Sequence, residues 1–204
     1  MDLSFRRTGW YMSGGNGCSN AMRHRLIRRL FVFISLAAVA SAPLEIHAQA
    51  SLLREYQIKA AFLYNFIKFI DWPLDALPET SDTIVICVFS DDPFREALDS
   101  IKDKIVRGRR LVIQRIQQGK ELGSCQVLAL GPSEEKRVPQ VMQSLQGSSV
   151  LTVGDIERFV HSGGIINFLV EQNKVRFEIN LNSAERARLK VSSQLLSLAR
   201  VVRQ

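Results

Sequence analysis

Beyond residue 50, side chains suited to nucleophilic, acid–base or metal chemistry are sparse, and their spacing favours structural roles. His161 is the only imidazole in that stretch, and Ser162-Gly163-Gly164 follows it. A Ser-Gly-Gly run suggests an oxyanion loop, yet Gly-Gly ahead of a strand is more often turn punctuation. His161 falls at the expected C-terminal end of a short helix, where a cation interacts well with the dipole. The chain contains no GxSxG elbow, Walker loop or HExxH pair. The carboxylate pairs Asp91-Asp92 and Glu134-Glu135 fall at expected helix starts, where acids are favoured for structural reasons. One His and two Cys without a CxxC spacing make a poor zinc site. The expectation is a protein that is not an enzyme and needs no cofactor or metal.

Three other features bear on binding. Cys87 and Cys125 either bridge, as an isolated pair in an oxidising compartment tends to, or stay as two buried thiols. The run Lys102, Lys104, Arg107, Arg109, Arg110 reads as a solvated face or as a docking patch for an acidic partner or anionic lipid. Without interleaved aromatics it does not favour nucleic acid. Asn167, Arg176, Glu178 and Asn180 place polar groups on strands that otherwise look core-forming. They form either an exposed sheet face or the polar floor of a cleft walled by aromatics of the first helix.

The elements that must position these residues begin after an export signal. Arg23, Arg25, Arg28 and Arg29 form a basic n-region, and Leu30–Ala42 an apolar run of about 13 residues. That length suits a signal peptide and falls short of the ~20 that cross a bilayer; the alternative is a retained anchor. Small residues mark cleavage after Ala48 or Ala50. Met22 reads as the start, with residues 1–21 an upstream extension that takes Cys18 with it. The first 50 residues hold six Arg against Asp2 and Glu45, so residues 51–204 carry +3 of the chain's +7. The basic character therefore belongs largely to the targeting segment and makes no case for nucleic-acid binding. Residues 51–204 suffice for one domain with its own core.

The first mature element is a helix over about 52–70, capped by Ser51 and ended by Trp72-Pro73. Apolar residues wrap most of it, with Lys59, Asn65 and Lys68 as interruptions, so it either packs in the core or offers a second face to a partner. Thr83–Phe89 reads as a strand covered on both faces. Asp92-Pro93 opens a helix to about Lys102, and strands follow at 110–116 and 125–130. A helix over 134–145, a strand at 149–153 and a short helix from Asp155 come next. Gly164–Glu171 and Lys174–Asn180 form a hairpin on a tight Gln172-Asn173 turn. Asn182-Ser-Ala-Glu185 looks like a capping box, and Ser192 caps a final helix reaching Val202. This order predicts a three-layer α/β sandwich: a mixed, mostly parallel sheet of about six strands, helices on both faces, and a C-terminal β-hairpin edge.

The stretch from Tyr56 to Pro73, YQIKAAFLYNFIKFIDWP, resembles the opening signature of the YfiR-like periplasmic repressor family. Gly163-Gly-Ile-Ile-Asn-Phe168, Val175-Arg-Phe-Glu-Ile-Asn-Leu181 and Ser193-Gln-Leu-Leu-Ser-Leu-Ala199 resemble its C-terminal block. The resemblance implies a non-catalytic regulator that holds the periplasmic sensor region of an inner-membrane diguanylate cyclase inactive, limiting cyclic di-GMP and biofilm formation. It also implies a homodimer, and places Cys87 and Cys125 where the family's disulfide partners are expected. A second pair found in some members near the Gly-Gly segment is missing here. With this reading, the expected partner or ligand cleft is formed by Tyr64, Phe66, Lys68 and Trp72, with Asn167, Phe177, Glu178 and Asn180 opposite. The alternative is a receptor that takes a small-molecule ligand on behalf of a membrane sensor or transporter.

Overall fold

The computed structural model describes residues 43–89, 93–117 and 119–202. The chain parts into two compact units, Met1–Ala48 and Gln49–Gln204. Of the first unit only the backbone of residues 43–48 is described, as the opening turns of a helix. Every described strand, and every described helix after that one, belongs to the second unit. The expected start at Met22, the n-region, the h-region and the Asp92 cap all lie outside the described residues.

Helix α1 runs Pro43–Lys68. It starts earlier than its composition suggests, with Pro43 in the first turn, where its missing N–H costs nothing; Ser51 therefore lies inside the helix and is not its cap. It also stops short of Trp72-Pro73. Ile70–Asp71 (β1) is drawn into a two-stranded ladder with Lys190–Val191 (β9), in the register Ile70↔Val191.

The main sheet contains eight strands. Its interior is Thr83–Phe89 (β2), Arg109–Ile116 (β4), Val127–Leu130 (β5) and Leu151–Gly154 (β6), all parallel and in the spatial order β4-β2-β5-β6. Ile105–Val106 (β3) pairs antiparallel outside β4. On the other side Ile166–Glu171 (β7) continues parallel to β6, and Lys174–Asn180 (β8) turns back along it. Gln172 and Asn173 have φ of 51° and 59°, the pair of positive angles a two-residue hairpin turn demands. Arg200–Val202 (β10) then adds outside β8 in parallel register. The expected last helix is thus helical only over Ser193–Leu196 (α5), where the Ser192 hydroxyl accepts from Leu195 N at 3.3 Å. The strands beyond the expected six are the short outer pair, β3 and β10.

Strand alternation creates two cores. Ile84, Ile86 and Val88 of β2 point to the α1 side with Val127, Ala129, Ile166, Phe168, Phe177 and Ile179. Cys87 and Phe89 point to the other face with Leu128, Leu130, Val138 and Val141. Short helices Phe94–Leu98 (α2) and Val138–Ser144 (α3) pack on the first and second core respectively. The segment expected as one helix over 134–145 is a 3-10 stretch, Pro132–Arg137, followed by α3. Pro139 lacks the N–H that a continuous α-helix would use there. The result is the expected three-layer sandwich.

Candidate functional site

The C-terminal turn of α1 and the β3 edge bring together two features that are far apart in sequence. Tyr64 donates its hydroxyl to the Ile105 carbonyl at 3.3 Å. The Lys68 ammonium lies 4.2 Å from the Tyr64 ring centroid and the Lys104 ammonium 5.4 Å from it, so one half-buried aromatic ring meets two cations. Lys68 also donates to Asn65 Oδ1 at 3.2 Å. The β3–β4 turn has Arg107 at φ 52° and Gly108 at φ 80°. From it Arg107 reaches back to the Ile70 carbonyl (3.0 Å) and the Asp71 carboxylate (2.5 Å).

Beside this cluster opens a cleft of about 250 Å³, lined by Trp72, Leu74, Leu77, Arg107 and Arg109 among others. Trp72 donates Nε1 to the Gln126 carbonyl at 3.3 Å, which leaves its ring along the cleft. Leu74 and Ile105 are 66% and 58% exposed. Arg110 pairs with Asp103 at 3.3 Å and Arg107 with Asp71, whereas no described carboxylate pairs with Lys68, Lys102 or Lys104. The surface thus combines exposed apolar groups, a ring beside two ammoniums and a net positive charge at an open sheet edge, with Asp71 and Glu79 offsetting Arg107 and Arg109 within the cleft itself. It suits an acidic protein surface, through charge pairing and aromatic contact.

The eight residues expected to form a cleft divide into three groups. Tyr64, Lys68 and Trp72 belong to the surface just described. Phe66 is fully buried, with its ring 4.8 Å from Phe177 and 5.6 Å from Phe168, so Phe66 and Phe177 supply the first core. Asn167, Glu178 and Asn180 alternate with Phe168, Phe177 and Ile179 along their strands, so they face away from α1 and the sheet separates them from Tyr64 and Lys68.

Their polarity serves internal bonds. Asn167 accepts from Ile156 N (3.2 Å) and donates to Glu178 Oε1 (3.3 Å). Asn180 donates to the Val160 carbonyl (2.8 Å), and its Oδ1 accepts from Ser183 N (3.0 Å) as the cap of Leu181–Arg186 (α4). Asn180 therefore caps this helix, displacing the expected Asn182 box.

Sequence reading missed a buried ion pair. Lys59 is 1% exposed, and its ammonium lies 2.6 Å from Asp155 and 2.5 Å from Glu55. Tyr56 donates to the same Asp155 oxygen at 2.8 Å. The signal was present: Tyr56, Lys59, Leu63, Phe66 and Ile70 recur at helical spacing on the buried stripe. The Gly-Gly segment has a packing explanation. Gly163 has φ 98°, and a Cβ on Gly164 would lie 2.2 Å from the ring of fully buried Phe159. Cys87 and Cys125 form a disulfide across the second core, Cα–Cα 5.8 Å. Glu134 pairs with Arg137 at 3.2 Å. Among the described residues no group of three or more His, Cys, Asp or Glu could hold a metal ion, and no helix is long and apolar enough to cross a membrane.

A family model described as YfiR/HmsC-like matches residues 56–200. One solved structure, a conserved domain protein from Vibrio cholerae O1 biovar eltor str. N16961, overlaps with a TM-score of 0.45 at 13% identity. The overlap covers 64% of this chain and 57% of that one, a likeness too slight to argue from.

Proposed function

Because the chain belongs to the YfiR/HmsC-like family, we propose that it is a periplasmic, non-catalytic regulator of an inner-membrane diguanylate cyclase. In this reading it binds the cyclase's periplasmic sensor region and holds it inactive, which limits cyclic di-GMP and biofilm formation. The observation that carries the reading is the match over residues 56–200. Docking is assigned to Tyr64, Lys68, Lys104 and the Trp72 cleft, against an acidic face of the sensor. Repression of this kind needs a surface with different affinity for two states of the partner and no reacting group.

The role requires export, which rests on the Arg23–Ala50 segment. The boundary between the two units falls at Ala48–Gln49, which coincides with one expected cleavage point. N-terminal sequencing of periplasmic protein should begin at Gln49 or Ser51.

The test is co-purification of the tagged chain with a detergent-solubilised inner-membrane diguanylate cyclase of the same organism. Native chain should retain the cyclase, and deleting the chain should raise cellular cyclic di-GMP. Lys68→Glu with Lys104→Glu should weaken retention by about tenfold or more while circular dichroism stays native. Retention unchanged by that pair would overturn the docking surface; no rise in cyclic di-GMP would overturn the repressor reading.

A further inference from the structure

A second cavity lies on the opposite side of the sheet from the proposed docking surface. It measures about 610 Å³ and opens on the second core's side, between α3 and α4. That volume falls in the range of roughly 300–1,000 Å³ typical of small-molecule sites. Met142, Leu145, Val150 and Ile165 give it an apolar floor.

The polar groups at that floor are already engaged. Thr152 Oγ1 accepts from Ile165 N at 2.9 Å, and Ser183 N donates to Asn180. Ser149, between two lining residues, holds a buried hydroxyl with no hydrogen-bond partner among the described residues.

Charge decides the ligand's sign. No carboxylate lines the cavity, and Arg186 is its one charged residue. The Arg186 guanidinium donates from Nη2 to Ser183 Oγ at 2.7 Å, and no described carboxylate pairs with it. One bond fixes the group at the wall while most of its five N–H donors remain for an anion.

We propose that this cavity binds a small amphipathic anion, its apolar body on the Met142–Ile165 floor and its charged head on Arg186. The site is independent of the cyclase reading. It would let a soluble metabolite of this class bias the protein by differential affinity for its conformational states.

The test uses the folded full chain with two probes, anilinonaphthalene sulfonate and its uncharged relative phenylnaphthylamine. Both should saturate a single site. Arg186→Gln should weaken the sulfonate by about tenfold and leave the neutral probe within about twofold. Ser162→Trp, which fills the mouth from an exposed position, should remove both. If circular dichroism shows Arg186→Gln to be misfolded, Gln146→Glu replaces it: an added carboxylate at the wall should repel only the sulfonate. Sulfonate binding that never saturates, or that ignores the charge variant and Ser162→Trp alike, overturns the proposal.

Discussion

The Lys59 ammonium reaches the Asp155 carboxylate at 2.6 Å across the top of the sheet, joining the middle of α1 to the turn after β6. Asp155 N donates to the Leu130 carbonyl at 2.9 Å, so the same residue also ties β6 to the end of β5. Lys59 is almost wholly enclosed and Asp155 partly open, so the pair lies close to the limit at which desolvation cancels attraction. Its worth is best measured by difference.

Removing one partner should cost more than removing both. Asp155→Asn leaves an ammonium buried with Glu55 alone and should destabilise by about 3 kcal/mol. Lys59→Met together with Asp155→Asn should recover at least half of that loss, because no ammonium is left buried and the remaining Glu55 carboxylate is open to water. Urea unfolding of the two single variants and the double variant gives the coupling. Simple additivity would assign the stability to packing of the Lys59 stem and not to its charge.

The Cys87–Cys125 bridge joins β2 to the segment entering β5, closing a loop with a sequence separation of 38. A cross-link of that span lowers the entropy of the unfolded chain by about 4 kcal/mol equivalent. Both residues are buried among Leu122, Leu128 and Val141, so Cys87→Ala with Cys125→Ala should keep the fold but lower its stability by roughly 2–4 kcal/mol. Intact mass should fall roughly 2 Da below that of the reduced chain. A periplasmic sample with two titratable thiols would contradict the bridge.

One carboxylate has a clear pH signature. Arg188 hydrogen-bonds Asp75 at 2.8 Å and holds its carboxyl below the ordinary value. A depressed folded-state pKa adds stability that is present above the unfolded pKa and lost as pH falls through the folded one. Asp75 is fully exposed, so the contribution should be small and salt-sensitive. Arg188→Gln should return the Asp75 titration towards the ordinary carboxylate midpoint, read by carbon NMR. An unmoved midpoint would assign the shift to the turn's backbone N–H groups.

Much of the sheet was legible because apolar β-branched runs announce buried strands. Thr83–Phe89 and Lys174–Asn180 match their expected spans, and the positive φ pair at Gln172-Asn173 matches the turn chemistry. Two-residue strands such as Ile70–Asp71 and Ile105–Val106 are too short to carry a period, and they appear only once a distant partner supplies the ladder. Arg200–Val202 shows the same competition: its apolar residues extend a helical pattern, but pairing with β8 overrides local preference. The candidate surface was half legible. Tyr64, Lys68 and Trp72 stood out by type, whereas their meeting with Lys104 depends on β3 folding back beneath α1. Asn167 and Glu178 misled because a polar residue bonded inside a core looks the same in sequence as one lining a cleft.

The Gly-Gly pair brings local chemistry and packing together, and it yields the sharpest steric test. Phe159 is fully buried, and its ring lies where a Cβ on Gly164 would come within 2.2 Å, and one on Gly154 within 2.4 Å. The ring therefore occupies a slot that only glycines leave open, at the junction of β6 and β7. Gly164→Ala should destabilise by about 3 kcal/mol or more through overpacking, since neither the backbone nor the enclosed ring has room to move. Phe159→Leu, with a narrower side chain, should cost about 1–2 kcal/mol alone. In the Gly164→Ala background it should restore stability instead, a change of sign that only direct contact produces. Denaturant midpoints for the two single variants and the double variant decide it: additive losses would mean that Gly164 is needed for its backbone freedom and not for the space it leaves to Phe159.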